Sequence, residues 1–251
     1  MTVVLVHGNP ETPAVWDLMV ERLREQGHGE PVRLALPGFG APLPPGFRPS
    51  PGAYRDWLAG QLEVIGEPVD LVGHDWGGLH VAGIAMHRPD LLRSWVSDTL
   101  GVLDPGYEWH PLARLWQAPA DGEAWVEAQL ALSQGERAAG LARLGIDRRV
   151  ARSLAAGFDP DMGTAILALY RAATQPGMAE LGAALETAAA RPGLAVVALA
   201  DGNVGTVAQR RDAARRAGAK IREINAGHWW MTENDGREAA DMLTAFWRER
   251  K

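Results

Sequence analysis

The chain has 251 residues and a formal charge of −6, with 47% apolar and 22% charged residues, an ordinary globular composition at a length suited to one domain or one domain with an insertion. Lys and Arg total 25 against 31 Asp and Glu with no basic run, which leaves no electrostatic footprint for nucleic acid or an anionic membrane. The absence of cysteine excludes disulfides, thiolate nucleophiles and thiolate metal sites, and no apolar stretch approaches the ~20 residues of a membrane-spanning helix.

The opening run, residues 1–8, reads as a short strand without the basic leader of a signal peptide, so a cytoplasmic protein is expected. Short, β-branched-rich apolar runs at 3–6, 32–36, 69–72, 94–97, 194–199 and 221–224 read as strands buried on both faces of a parallel sheet. Helical patterns fall between them at 15–26, 54–65, 79–87, 207–217 and 238–248, with Gly27, Gly66 and Gly218 where C-terminal caps belong. This alternation predicts a doubly wound α/β sandwich with right-handed crossovers. Residues 104–191 break the rhythm. They are Ala-, Leu- and Arg-rich and read as a helical insertion with turns at Asp159-Pro160 and Gln175-Pro176-Gly177.

In an open parallel sheet, ligands bind beyond the carboxyl ends of the strands. Four segments stand there: His7-Gly8-Asn9-Pro10, Gly73-His74-Asp75-Trp76-Gly77-Gly78, Asp98 and Gly227-His228. Gly73 and Gly77 flank Asp75 at the spacing a sharp strand-to-helix turn requires. Such a turn usually presents a serine; here it presents a carboxylate, with helix-start amides to keep it ionised. The bland alternative is an N-cap aspartate in an ordinary turn.

The layout resembles the α/β-hydrolase superfamily, and within it the aspartate-nucleophile branch of haloalkane dehalogenases and epoxide hydrolases. The resemblance implies a mostly parallel sheet of about six strands, a core of residues 1–103 and 192–251, and a helical cap over 104–191. It departs at the N-terminus, where an extra hairpin usually precedes the His-Gly motif. It assigns Asp75 as nucleophile and His228 as the base that hydrolyses the alkyl-enzyme ester. His7 and His74 are expected to be structural. For the acid that orients His228 there are two candidates, Asp98 at the end of the strand before the cap and Asp201 after the following strand. The resemblance favours Asp98, because its distance to the cap segment 108–114 fits one dehalogenase subgroup and the usual register puts Asn203 at the other acid position.

Two chemistries share these residues. Asn9 and Trp76 each offer a side-chain N–H beside the turn and look like the halide clamp of a haloalkane dehalogenase. An epoxide hydrolase instead protonates its leaving oxygen from cap tyrosines, for which Tyr170 and Tyr107 are candidates, while Tyr54 belongs to a core helix. The favoured expectation is haloalkane hydrolysis, followed by epoxide hydrolysis and then a catalytically silent small-molecule receptor. No metal or cofactor is expected; the partner is a small apolar halogenated or epoxide substrate, and the protein a monomer or homodimer. Of the ten tryptophans, Trp109, Trp116, Trp125, Trp229 and Trp230 cluster around the cap and the His228 loop as candidates for an apolar cavity. The Arg-rich runs at 143–152 and 210–216 read as solvated helix faces.

Overall fold

The computed structural model describes residues 2–249, so Met1 of the opening run lies outside the described residues. The apolar runs become strands β1 (Val3–Val6), β2 (Val32–Leu34), β5 (Val69–Gly73), β6 (Leu92–Ser97), β7 (Gly193–Ala198) and β8 (Lys220–Ile224), with a small separate pair, β3 (Leu36–Pro37) and β4 (Gly40–Ala41). The six form one sheet in the order β2-β1-β5-β6-β7-β8, parallel at every junction. β1, β5 and β7 are buried along their whole lengths, as strands covered on both faces must be.

Alternate side chains divide between two layers. Val4, Val6 and Leu71 face α2 (Pro51–Ile65) and α3 (Trp76–His87), whereas Val3, Leu5 and Val72 face α1 (Asp17–Glu25) and α11 (Arg237–Arg248). Local sequence sets the helix ends. Ser50 accepts the Ala53 amide at the start of α2, Pro51 occupies its first turn, and Gly66 closes it at φ +78°.

Between β6 and β7 the chain runs through α4 (Pro111–Gln117), α5 (Asp121–Ala131), α6 (Gln134–Arg143), α7 (Arg148–Ala156), α8 (Pro160–Arg171) and α9 (Gly177–Leu181). Asp159-Pro160 starts α8, its carboxylate accepting the Met162 amide, and Ser133 with Glu136 forms a capping box on α6. After β7, α10 (Val207–Arg216) leads into β8. The register aligns Val6 with Gly73, Val72 with Val96, and Ser97 with Ala195. The loops leaving β1, β5, β6 and β7 therefore open at one end of the sheet, beneath α4 and α8.

Candidate active site

Asp75 has φ +51° and ψ −124°, a backbone conformation that is strained for any side chain except glycine. Close packing imposes it. A Cβ on Gly73 would stand 2.4 Å from the Gly77 carbonyl oxygen, and one on Gly77 would stand 2.1 Å from the Val6 oxygen. The turn is also held from below, since the Asp75 amide donates to Asp98 Oδ1 at 3.0 Å and the Thr99 hydroxyl to the Asp75 carbonyl at 2.7 Å. The Asp75 carboxylate accepts the Asn9 amide at 2.9 Å and the Trp76 amide at the start of α3. Burial pushes this carboxyl above the usual range, opposed by charge on His228 and His74.

His228 places Nε2 3.8 Å from Asp75 Oδ2, and its Nδ1 donates to Asp201 Oδ2 at 2.9 Å. The expectation that Asp98 orients His228 is thereby corrected. Asp98 is already engaged by three N–H donors: His74 Nδ1, Trp230 Nε1 and the Asp75 amide. Asp201 is free for His228 because the strand-end loop turns it inward. The Asn203 amide donates to Asp201 Oδ1 at 2.8 Å, so Asn203, the residue at the expected acid register, serves the acid through its backbone. Burial would raise the Asp201 carboxyl, but the bond to His228 brings it below the ordinary value. Burial likewise opposes the His228 proton, yet the Asp201 bond lifts its pKa above 6.5.

Arg210 was expected on a solvated face and is instead 3% exposed. Its guanidinium donates to the Ala198 and Asp201 carbonyls at 2.7 and 2.9 Å, fixing the loop that carries the acid. One arginine among the four of the 210–216 run gives no sequence signal of this. Glu11 was also missed. It lies buried beneath the site, with Oε1 accepting the Trp229 indole at 2.6 Å and His74 Nε2 at 3.1 Å, and Oε2 accepting the Gly8 amide at 2.9 Å. The motif His7-Gly8-Asn9-Pro10-Glu11 placed a carboxylate next to the site, and that was the available clue. Glu11, His74 and His228 offer ligand atoms within 4.8 Å of one another. As a metal set they are poor, because both His74 nitrogens and both Glu11 oxygens already have partners.

Above Asp75 lies a cavity of about 380 Å³, whose floor includes Asn9, His228 and Tyr170 and whose walls include Trp116, Trp125 and Phe158. Trp229 lines it as well, while Trp230 faces Asp98 and the Trp109 indole donates to the Ala173 carbonyl. Arg137, beside the cavity, is committed to the carbonyls of Gln129, Leu132 and Ala155. The Asn9 and Trp76 side chains do stand together, and both are in contact with Tyr170. Asn9 Nδ2 donates to Tyr170 Oη at 3.4 Å, and the Trp76 ring stands perpendicular to the Tyr170 ring with centroids 5.3 Å apart. Burial and the Asp75 charge hold the Tyr170 hydroxyl well above its ordinary pKa, so it keeps its proton. Tyr107 is not its partner, since it donates to the Asn203 carbonyl at 2.6 Å, and Tyr54 donates to the Pro37 carbonyl within the core.

His110, at the start of α4, is a polar group that sequence reasoning did not single out. Its Nδ1 accepts the Ala113 amide at 3.2 Å, and burial lowers its pKa to about 4. The ring is therefore neutral with its proton on Nε2, and it lines the cavity beside Tyr170.

No curated protein is significantly similar to the chain. Solved structures share its fold. A hydrolase from Pseudomonas aeruginosa PA01 is 19% identical with a TM-score of 0.71, over 98% of this chain and 89% of that one. A provisionally named epoxide hydrolase from Pseudomonas aeruginosa is 19% identical with a TM-score of 0.76, over 99% and 89%. A loop variant of the haloalkane dehalogenase DbeA from Bradyrhizobium elkanii is 19% identical with a TM-score of 0.63, over 99% and 90%. The profile of the alpha/beta hydrolase family, in turn, matches residues 3–242, and on that near-complete span the protein belongs to this family.

Proposed function

We propose that the protein is a cofactor-independent hydrolase that opens epoxides through an ester on Asp75, with residues 104–191 acting as a cap over a core of 1–103 and 192–251. The observation that carries this reading is the contact of Asn9 Nδ2 with the Tyr170 hydroxyl, with the Trp76 ring packed against the same tyrosine. A halide needs free N–H donors, whereas here the Asn9 side-chain amide is turned to a phenol oxygen. A phenol that accepts a hydrogen bond still has its own proton to give, which suits an oxygen leaving group.

In the proposed reaction, Asp75 Oδ attacks an epoxide carbon in line, the C–O bond breaks, and the oxygen takes the Tyr170 proton with the His110 Nε2–H as second donor. His228, oriented by Asp201, then removes a proton from water, which adds to the Asp75 carboxyl carbon. The Asn9 and Trp76 amides that face the carboxylate stabilise the resulting oxyanion. Collapse breaks the ester C–O bond, and the leaving alkoxide takes the second water proton from the carboxyl group to give a vicinal diol. The proton on His228 returns to Tyr170, and Asp75 is restored as a carboxylate. The aromatic and aliphatic side chains that dominate the cavity favour a substrate with an apolar body, although Glu136, Arg137 and Arg143 also border it.

Haloalkane hydrolysis is the second reading, because Asn9 and Trp76 do stand side by side next to Asp75. Intact-protein mass spectrometry of His228→Ala after exposure to epoxide and bromoalkane panels separates the two. A gain of one whole epoxide supports the first reading. An alkyl gain without halogen supports the second, and an unmodified mass with both panels argues for a silent receptor.

A further inference from the structure

We propose that His74 is a positioning residue that acts as a permanent buried cation, clamped between Glu11 and Asp98, joining the turn that carries Asp75 to the loop that carries His228 and biasing His228 toward its basic form.

The geometry determines the protonation. His74 Nδ1 lies 2.6 Å from Asp98 Oδ2, and Nε2 lies 3.1 Å from Glu11 Oε1, with all three side chains buried. An ionised carboxylate only accepts, so a ring bridging two of them needs a proton on both nitrogens. His7 supplies a contrast. Its Nε2 accepts the Leu36 amide, which only a neutral ring can do. Burial would strip His74 of its charge, but the two carboxylates overcome this and hold its pKa well above 6.5.

Four loops meet on this triplet. Glu11 follows β1 and takes the Trp229 indole; Asp98 follows β6 and takes both the Trp230 indole and the Asp75 amide. The two tryptophans after His228 thus anchor its loop to opposite ends of the same ion cluster. Without the central charge, two carboxylates would face each other in a buried space, where unpaired charge is strongly unfavourable.

The His74 and His228 ring centres are 4.7 Å apart. The other charged or titratable groups around His228 are Asp201 after β7, Asp75 in the turn, Glu11 and Asp98 beneath it, and His110 from α4. Asp201 and Asp75 favour a proton on His228, and His74 opposes them. Its charge keeps more of the base neutral at a given pH. The consequence for turnover rests on His228 being the base; the charge state of His74 does not, and it is measurable in the resting protein.

The test is long-range 1H–15N spectroscopy of the seven histidine rings across the neutral pH range. In the unmodified protein His74 should show both nitrogens protonated throughout. In Glu11→Gln it should acquire a titration within that range. In His74→Gln the His228 midpoint should move to higher pH, and the acid limb of ester hydrolysis should move with it, with about tenfold less neutral base per unit of displacement. A singly protonated His74 in the unmodified protein overturns the proposal whether or not any variant folds, and so does an unmoved His228 midpoint in His74→Gln. If the spectra behave as expected but no epoxide ever labels Asp75, the charge assignment stands and the epoxide reading fails.

Discussion

The two acids near the site separate by what Asn would do at each. Asp201 is 6% exposed and gives one carboxylate oxygen to His228 Nδ1 at 2.9 Å and the other to the Asn203 amide. In Asp201→Asn, the Asn203 contact survives, but an amide NH₂ facing His228 Nδ1 favours the reversed tautomer, whose Nε2 carries a proton and cannot take one from water. Such a reversal costs about 10⁴ in turnover in a related triad, or about 5.5 kcal/mol at 1.36 kcal/mol per decade. Alkylation by Asp75 needs no base, so the ester should accumulate on a stable protein. Asp98→Asn leaves the His228–Asp201 bond intact and removes a buried countercharge from His74. Breaking a buried pair costs about 3–5 kcal/mol, which at ~2–4 °C per kcal/mol corresponds to a Tm loss on the order of 10 °C. Quenched-flow mass spectrometry reads the ester, and calorimetry reads the stability. The reasoning is refuted if Asp98→Asn traps ester at native Tm while Asp201→Asn turns over normally.

Tyr170→Phe should slow alkylation by an epoxide about 10²–10⁴-fold while leaving breakdown of a formed ester unchanged; an unaltered single-turnover rate removes Tyr170 from the mechanism. Acidification should uncouple the half-reactions. His228 is raised above 6.5 and must be neutral to act, so ester hydrolysis falls as pH drops through that raised value. Asp75 needs only its carboxylate, raised above 3.8, so the unmodified enzyme should accumulate ester in mild acid, and steady-state labelling that is flat with pH contradicts the roles given to both groups. Gly77→Ala would bring a methyl to 2.1 Å from the Val6 oxygen and should lower stability by about 1–3 kcal/mol or more, read as the urea midpoint.

The inner strands were legible because they are buried on both faces and mostly apolar, whereas most residues of the edge strands β2 and β8 are exposed or half-buried. The Asp75 turn was legible because Gly73 closes on Gly77 and Gly77 on β1 too tightly for a side chain. The acid was not legible. Asp98 and Asp201 both follow strands at the same end of the sheet, and which one meets His228 depends on a two-residue difference in loop path and on the donors that already engage Asp98. Arg210 was misread because it shares the buried face of α10 with Ala213 and Ala214 at i, i+3 and i+4, and two alanines mark that face only weakly. The contact of Asn9 and the packing of Trp76 with Tyr170 join residues far apart in sequence, and no local signal encodes it.

The aromatic lining of the cavity gives the protein a built-in optical reporter. Trp116, Trp125 and Trp229 border the same space as Asp75, and Trp76 follows it in the chain. Esterification of Asp75 removes a full negative charge from among these indoles, at a depth where the field of a charge is weakly screened. Their emission should therefore shift when the ester forms and return when it breaks, so that both steps can be timed on unlabelled protein with colourless substrates.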